Sequence, residues 1–395
     1  METTPNSERN QVIIDEQPQQ LARETTEATL EVVQKVRESR LSTLFEVLSQ
    51  YLKSIDKVAT TIVVAIAIAH CILGEMLWVR LYGGSRSGKT ELLRAIARHP
   101  DSAELEVITP ASIRGGLEGG HKLLERINGK LAITKDLASI LTIKKETRNE
   151  LFGLLRNVKD GKLTADFGTK DGYVAQVARF DWIIGTTPVF AQYRQFEDLL
   201  GARYIDLNWR TGNREEMTYQ AMANNPILET EIRPAIAEGV VKLIDRAKIM
   251  QQFHPAELRE NTRQIIMDWA DLTARLRSPV VRDAHHRVRF HPEPEVGTDL
   301  AQGFERIAKG LALIPDVNNI ELFIARLCQD SIPYDRRELI GKLLREGTVT
   351  ANDGGALYFN LEDLRLLGAC DKVDSGYSLK PELQGRISLL FGQWE

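Results

Sequence analysis

The apolar positions change rhythm twice along the chain. From Glu24 to Ile55, residues Leu30, Val33, Leu41, Leu44, Leu48, Leu52 and Ile55 recur at spacings that keep one helical face apolar. The run Ala59–Leu73 continues this helical texture. It is shorter than the ~20 apolar residues that a bilayer requires, and it contains His70, so it reads as a core helix. Short apolar runs then alternate with helical stretches: Met76–Tyr82, Leu105–Thr109, Leu131–Thr134, Trp182–Gly185 and Tyr204–Trp209. Strands separated by helices require crossover connections, hence a mostly parallel sheet covered on both faces. An α/β core with five strands is therefore expected over residues 59–215.

Residues 216–317 carry only helical periodicity, broken at Asn224-Asn225-Pro226 and at Arg289–Glu295. Within 318–395, helices at 319–330, 335–346 and 358–368 precede a strand pair around Asp374-Ser375-Gly376. Helix, helix, helix, hairpin is a winged-helix order. Residues 1–22 are Gln-rich with Pro5 and Pro18 and are expected to be disordered, and residues 23–58 form a helical lead-in.

Composition narrows the function classes. Lys and Arg total 51 against 55 Asp and Glu, a net charge of -4, which excludes a uniformly basic nucleic-acid coat but not a local basic groove. Three scattered cysteines, Cys71, Cys328 and Cys370, fit neither a disulfide framework nor a Cys-rich zinc site. With no apolar segment near Met1, a cytoplasmic protein with no membrane partner is expected.

One motif carries chemistry. Gly83-Gly84-Ser85-Arg86-Ser87-Gly88-Lys89-Thr90 satisfies G-x4-G-K-[ST], follows a predicted strand and opens a predicted helix, Lys89–Arg98. The glycines let backbone N–H groups converge on phosphate oxygens, and the helix N-terminus adds partial positive charge. Lys89 is expected to reach the β- and γ-phosphates of ATP and the Thr90 hydroxyl to ligate Mg2+.

Such a loop needs an acid to hold the metal or orient water. Asp136 ends the Leu131–Thr134 strand segment and is the candidate for either task, with a plain helix N-cap as the structural alternative. The preceding position is Lys135, so a second acid is missing. Strand Trp182–Gly185 ends in Thr186-Thr187-Pro188; Thr187 is the first candidate to contact the γ-phosphate or the attacking water, and Thr186 the second. Arg203, at the start of the last strand, is positioned to reach a neighbouring subunit's phosphates, or to pair with a surface acid.

Together these residues resemble the AAA+ ATPases, and within them the minichromosome maintenance helicases and their shorter relatives on phages and mobile elements. Leu200-Gly201-Ala202-Arg203-Tyr204 is similar to that family's arginine-finger segment, and Gly185-Thr186-Thr187-Pro188 to its sensor-1 strand end. The resemblance implies a P-loop core of three αβα layers with a parallel five-stranded sheet, a helical lid and a C-terminal winged helix. It also implies a homo-oligomer, a hexameric ring or spiral, with ATP between subunits and single-stranded DNA in a central channel. A hairpin that touches DNA is implied between the acid strand and sensor 1. Here Leu163–Phe167 and Tyr173–Ala178 alternate in strand fashion around Gly168–Gly172, which makes Lys170 at the tip and Lys162 at the base the DNA-binding candidates.

The sequence also departs from the family. Lys135-Asp136 replaces a paired Asp-Glu, and Asp299 stands where a lid arginine is usual, with Arg306 as its possible substitute. A slow ATP-gated assembly switch, in transposition or defence, is therefore the alternative to a DNA motor. Two basic groups remain. Arg275, Arg277, Arg282, Arg287 and Arg289, with His285, His286 and His291, form either a phosphate-contacting edge or a solvated surface. Arg336, Arg337, Lys342 and Arg345 on the second C-terminal helix either meet phosphates or belong to a module that packs on its own core or a partner, whereas the third helix is acidic at Glu362 and Asp363.

Overall fold

A computed structural model describes residues 40–52, 54–85, 87–114, 123–137, 140, 143–161, 163–166, 173–189, 204–223, 226–289 and 292–392. Residues 1–22, the lead-in before Arg40, Arg86, Lys162, Lys170 and Arg203 lie outside these.

In chain order the first strands are β1 (Trp78–Tyr82), β2 (Ser102–Glu104), β3 (Leu131–Thr134), β4 (Leu163–Asp166), β5 (Tyr173–Gln176), β6 (Asp181–Thr186) and β7 (Ile205–Asn208). β4 and β5 pair antiparallel as the expected hairpin. The other five form one parallel sheet in the order β2-β3-β6-β1-β7. β1 is thus an interior strand between β6 and the edge strand β7, both of which come about a hundred residues or more later in the chain, with Trp78 opposite Trp182 and Val79 opposite Ile205.

Period-two alternation sorts β1 between two cores. Leu77, Val79 and Leu81 face α2 (Lys57–Ala69) and α3 (Lys89–Ala97), and Met76, Trp78 and Tyr82 face the opposite side. That side is covered by α4 (Pro110–Arg114), α5 (Leu123–Ile127) and α6 (Lys145–Lys159). Helices on both faces of a parallel sheet give three layers. The run Ala59–Leu73 supplies α2, whose residues Ala59–Ala69 are all buried. Among the described residues no helix is long and apolar enough to cross a membrane, and the three cysteines are free thiols.

The expected strand at Leu105–Thr109 is a correction. The edge strand is Ser102–Glu104, a stretch with no strand-like pattern. Leu105 and Ile108 are buried and Val107 is exposed, so this run is a loop that pins its apolar side chains against the sheet.

Before and after the sheet the chain is helical: α1 (Leu41–Tyr51), then α7 (Arg214–Ala223), α8 (Pro226–Phe253), α9 (Glu260–Arg277) and α10 (Thr298–Ala312). α8 packs on α1 and α3, and α10 on α2. The C-terminal unit contains α11 (Ile320–Ser331), α12 (Tyr334–Glu346), β8 (Thr348–Val349), α13 (Ala356–Leu366), β9 (Cys370–Val373), β10 (Gly376–Leu379) and α14 (Pro381–Phe391). Its three strands form an antiparallel sheet in the order β8-β10-β9.

Buried charges join these parts. Arg326, on α11, bonds Asp330 Oδ2 at 2.6 Å, Asp56 Oδ2 at 3.2 Å and the Asn208 carbonyl at 2.7 Å. It ties the C-terminal unit to the end of β7 and to the N-cap of α2. Arg306 likewise forks onto Asp181 at 2.8 and 2.9 Å and reaches the carbonyls of Ala69, Ile72 and Glu75. Asp181 also accepts from Leu77 N and contacts His70 Nδ1, both at 2.7 Å. Burial raises the Asp181 pKa, but the His70 and Arg306 interactions overcome this and hold the carboxyl below its ordinary value.

Candidate functional site

The Gly83–Thr90 loop leaves the carboxyl end of β1 and enters α3 directly. In open α/β sheets this end of the strands is where ligands are bound. Gly88 is the N-cap of α3 and has φ +92°, a left-handed conformation that side chains disfavour. A Cβ there would also lie 2.8 Å from Leu52 Cδ1. With glycine at the cap, α3 has no side-chain cap hydrogen bond among the described residues.

Lys89 is buried, and its Nζ donates to the carbonyls of Gly83 at 2.7 Å and Gly84 at 3.0 Å. Burial lowers its pKa, opposed by the negative charge of Asp136, so the two residues share one electrostatic neighbourhood. The Ser87 hydroxyl is buried and has no hydrogen-bond partner among the described residues. Trp209 Nε1 donates 2.9 Å to the Ser87 carbonyl, and Gly83 N donates 3.2 Å to the Thr186 carbonyl, so the strands on both sides of β1 hold the loop.

The remaining residues sit around this loop. Asp136 follows the carboxyl end of β3 and is exposed. Lys135 turns away from the loop, bonding Glu104 at 2.8 Å and Glu106 at 3.2 Å, the first of which chiefly raises its pKa. Gly185 permits close approach: a Cβ there would collide with the Lys135 carbonyl oxygen and sit 2.9 Å from Leu93 Cδ1 of α3. Thr186 ends β6 on the aromatic side with Trp182 and Ile184, and its hydroxyl is buried without a partner among the described residues. Half-buried Thr187 directly follows the end of β6. Thr90 is half-buried in the first turn of α3. Ser85 is exposed.

Several expectations are corrected by burial. Arg306 lies by the amino end of β6, where it binds Asp181, at the opposite end of the sheet from the Gly83–Thr90 loop, so it does not substitute for a lid arginine. Arg336 is buried and donates to the carbonyls of Leu276 at 2.9 Å and Ser278 at 2.7 Å, which caps the end of α9. Arg337 pairs with Asp330, and Lys342 with Glu346. Arg277 pairs with Glu295 at 3.3 Å and donates to the Tyr204 carbonyl. Arg336, Arg337 and Arg277 are thus fixed in the structure rather than presented to phosphates.

Sequence reading missed three supports of the loop. Arg233 of α8 holds Glu91 of α3 at 2.9 and 3.2 Å. Asp56 accepts from Arg210 N, and Ser54 from Asn213 N, each at 2.9 Å, which pins the segment after β7 beside the loop. Only Trp209, a large residue just past a strand end, left any trace of this in the sequence. Among the described residues no group of three or more His, Cys, Asp or Glu side chains gathers as a metal cluster. No protein-family model matches the chain, and no curated protein sequence matches it.

Proposed function

We propose that this chain binds and hydrolyses ATP as an AAA+ motor on DNA, a helicase or replication and remodelling ATPase of a mobile element. The observation that carries the reading is Lys89, buried and bonded to the Gly83 and Gly84 carbonyls beneath an uncapped helix N-terminus. A triphosphate fits that donor set: an ammonium, converging backbone amides and the unpartnered Ser87 hydroxyl. Thr90 and Asp136 offer the hard oxygen ligands that Mg2+ takes, and the ion would neutralise phosphate charge there.

In this reading Lys89 moves from the loop carbonyls to phosphate oxygens, Asp136 holds water or metal, and Thr187 contacts the γ-phosphate. Arg203 acts across a subunit interface of a ring or spiral, and Lys162 and Lys170 follow a single strand in its channel. The antiparallel three-stranded sheet with α11, α12 and α13 is read as the winged helix.

The ion pairs of Lys135 favour a second reading. A lysine fixed by Glu104 and Glu106 stands where a second acid would speed hydrolysis, which suits a slow ATP-gated assembly switch. ATP binding, assembly state and turnover, each measured with and without single-stranded DNA, separate the two. DNA-stimulated turnover with strand separation supports the motor, and ATP-dependent assembly with negligible turnover supports the switch. A chain that ignores nucleotide sinks both.

A further inference from the structure

The acidic α13 gains its positive charge from another part of the chain. Between α9 and α10, residues 281–289 form a tight turn closed by an antiparallel bridge between Arg282 and Val288. Asp283 spends its carboxylate inside the turn, with Oδ1 accepting from His285 N at 2.8 Å and Arg287 N at 2.9 Å. Arg282 fastens the turn to α13. Its Nη2 bonds Asp363 Oδ1 at 2.6 Å, its Nη1 donates to the His286 carbonyl at 2.9 Å, and its guanidinium lies 5.1 Å from the Phe359 ring centroid. His286 stacks on the same ring at 4.6 Å and holds φ +60°, a left-handed conformation uncommon outside glycine. Such conformations persist where surrounding structure over-determines them.

The charges sort accordingly. On α13, Asp363 is neutralised by Arg282 and Arg336, and Glu362 by Arg365. In the turn, Arg287 and Arg289 are exposed and have no carboxylate partner among the described residues, and His285 and His286 are exposed beside them. A rigid turn carrying cations with unfilled hydrogen bonds, laid on a helix whose acids are already paired, suits an anionic chain with regularly spaced charge.

We propose that the 281–289 turn, seated on α13, is a contact for the phosphate backbone of DNA, with Arg287 and Arg289 as its phosphate-binding side chains. The surface is composite: α13 supplies the platform and the turn supplies the charge. Such contacts position the strand without reading its sequence. The inference deepens the DNA-directed reading and rests on it.

The test uses the full chain, wild type and Arg287→Ala/Arg289→Ala, binding an oligothymidine strand between about 50 and 200 mM salt. Each lost phosphate contact lowers the log–log salt slope by about 0.7 for a single strand, so the double variant is expected to lose about 1.4. At about 0.1 M salt this corresponds to roughly 25-fold weaker binding. Thermal stability and ATP affinity stay at wild-type values, and Arg287→Lys/Arg289→Lys retains the slope. If the wild type binds and the alanine variant keeps its slope and affinity, the turn is not a contact. The same holds if the lysine variant falls as far as the alanine variant. A wild-type chain that binds no strand at any salt overturns the DNA-directed reading as well.

Discussion

The Nζ of Lys89 lies 2.7 Å from the carbonyl oxygen of Gly83, six residues earlier, so the lysine closes its own loop like a latch. A phosphate must win the ammonium from two carbonyls, and its formal negative charge is what favours it, since the attraction between two full charges at this distance exceeds that between a charge and a carbonyl dipole.

Lys89→Ala is therefore expected to weaken ATP binding by about 1.5–3 kcal/mol, the range for a hydrogen bond to a charged group. Equilibrium binding of a fluorescent ATP analogue measures it; an unchanged Kd would move the site elsewhere. Because burial lowers the Lys89 pKa, affinity in the wild type should decline as pH rises through that lowered value, earlier than for an ordinary lysine.

Gly88→Ala puts a side chain at φ +92° and against Leu52, 2.8 Å away. The left-handed conformation alone costs about 1–2 kcal/mol, and the loop must shift to relieve the contact. Denaturant unfolding should show a loss of at least that size, together with weaker nucleotide binding. A fully stable variant would show that the loop tolerates another conformation.

Asp181→Asn leaves Arg306 buried without its charge partner, a change that costs about 3–5 kcal/mol in comparable sites. In the wild type the Asp181 carboxyl is held below its ordinary value of 3.8. The stability it contributes is then complete above that value and is lost as pH falls from about 4 through the lowered folded pKa. Urea midpoints measured against pH should show this acid limb in the wild type and lack this contribution in the variant.

Arg203→Ala is expected to leave ATP affinity intact and to lower turnover about 10³-fold or more, the size of an arginine-finger effect. Mixing it with Lys89→Ala should restore part of the turnover, since a mixed interface pairs an intact loop with an intact arginine. Mixtures that stay inactive would count against a site shared between subunits.

Much of this architecture was readable before folding. Short apolar runs located β1, β3 and β6 because parallel strands covered on both faces are buried along their whole length, whereas the edge strand β7 alternates, with Ile205 and Leu207 buried and Asp206 and Asn208 half-buried. The glycine spacing marked the turn between β1 and α3 because Gly88 takes up the left-handed backbone with which α3 begins. β2 was not readable: Ser102-Ala103-Glu104 is a half-exposed edge whose place is set by pairing with β3. The arginines failed for a different reason. Arg277, Arg306 and Arg336 are buried, and Arg287 and Arg289 exposed, yet one letter stands for both states. What separates them is the carbonyls and carboxylates that distant segments bring, such as Asp181 to Arg306 across 125 residues.

The position of β1 also bears on how the chain acquires its shape. Its pairing partners β6 and β7 end at Thr186 and Asn208, so a nascent chain emerging from the ribosome carries an apolar strand with two open edges until both have been made. Non-local parallel pairing of this kind is slow and leaves intermediates prone to aggregate. The Gly83–Thr90 loop, held from both β6 and the segment after β7, is thus among the last parts to take form, and a chain cut short before Ile205 would leave one flank of β1 bare.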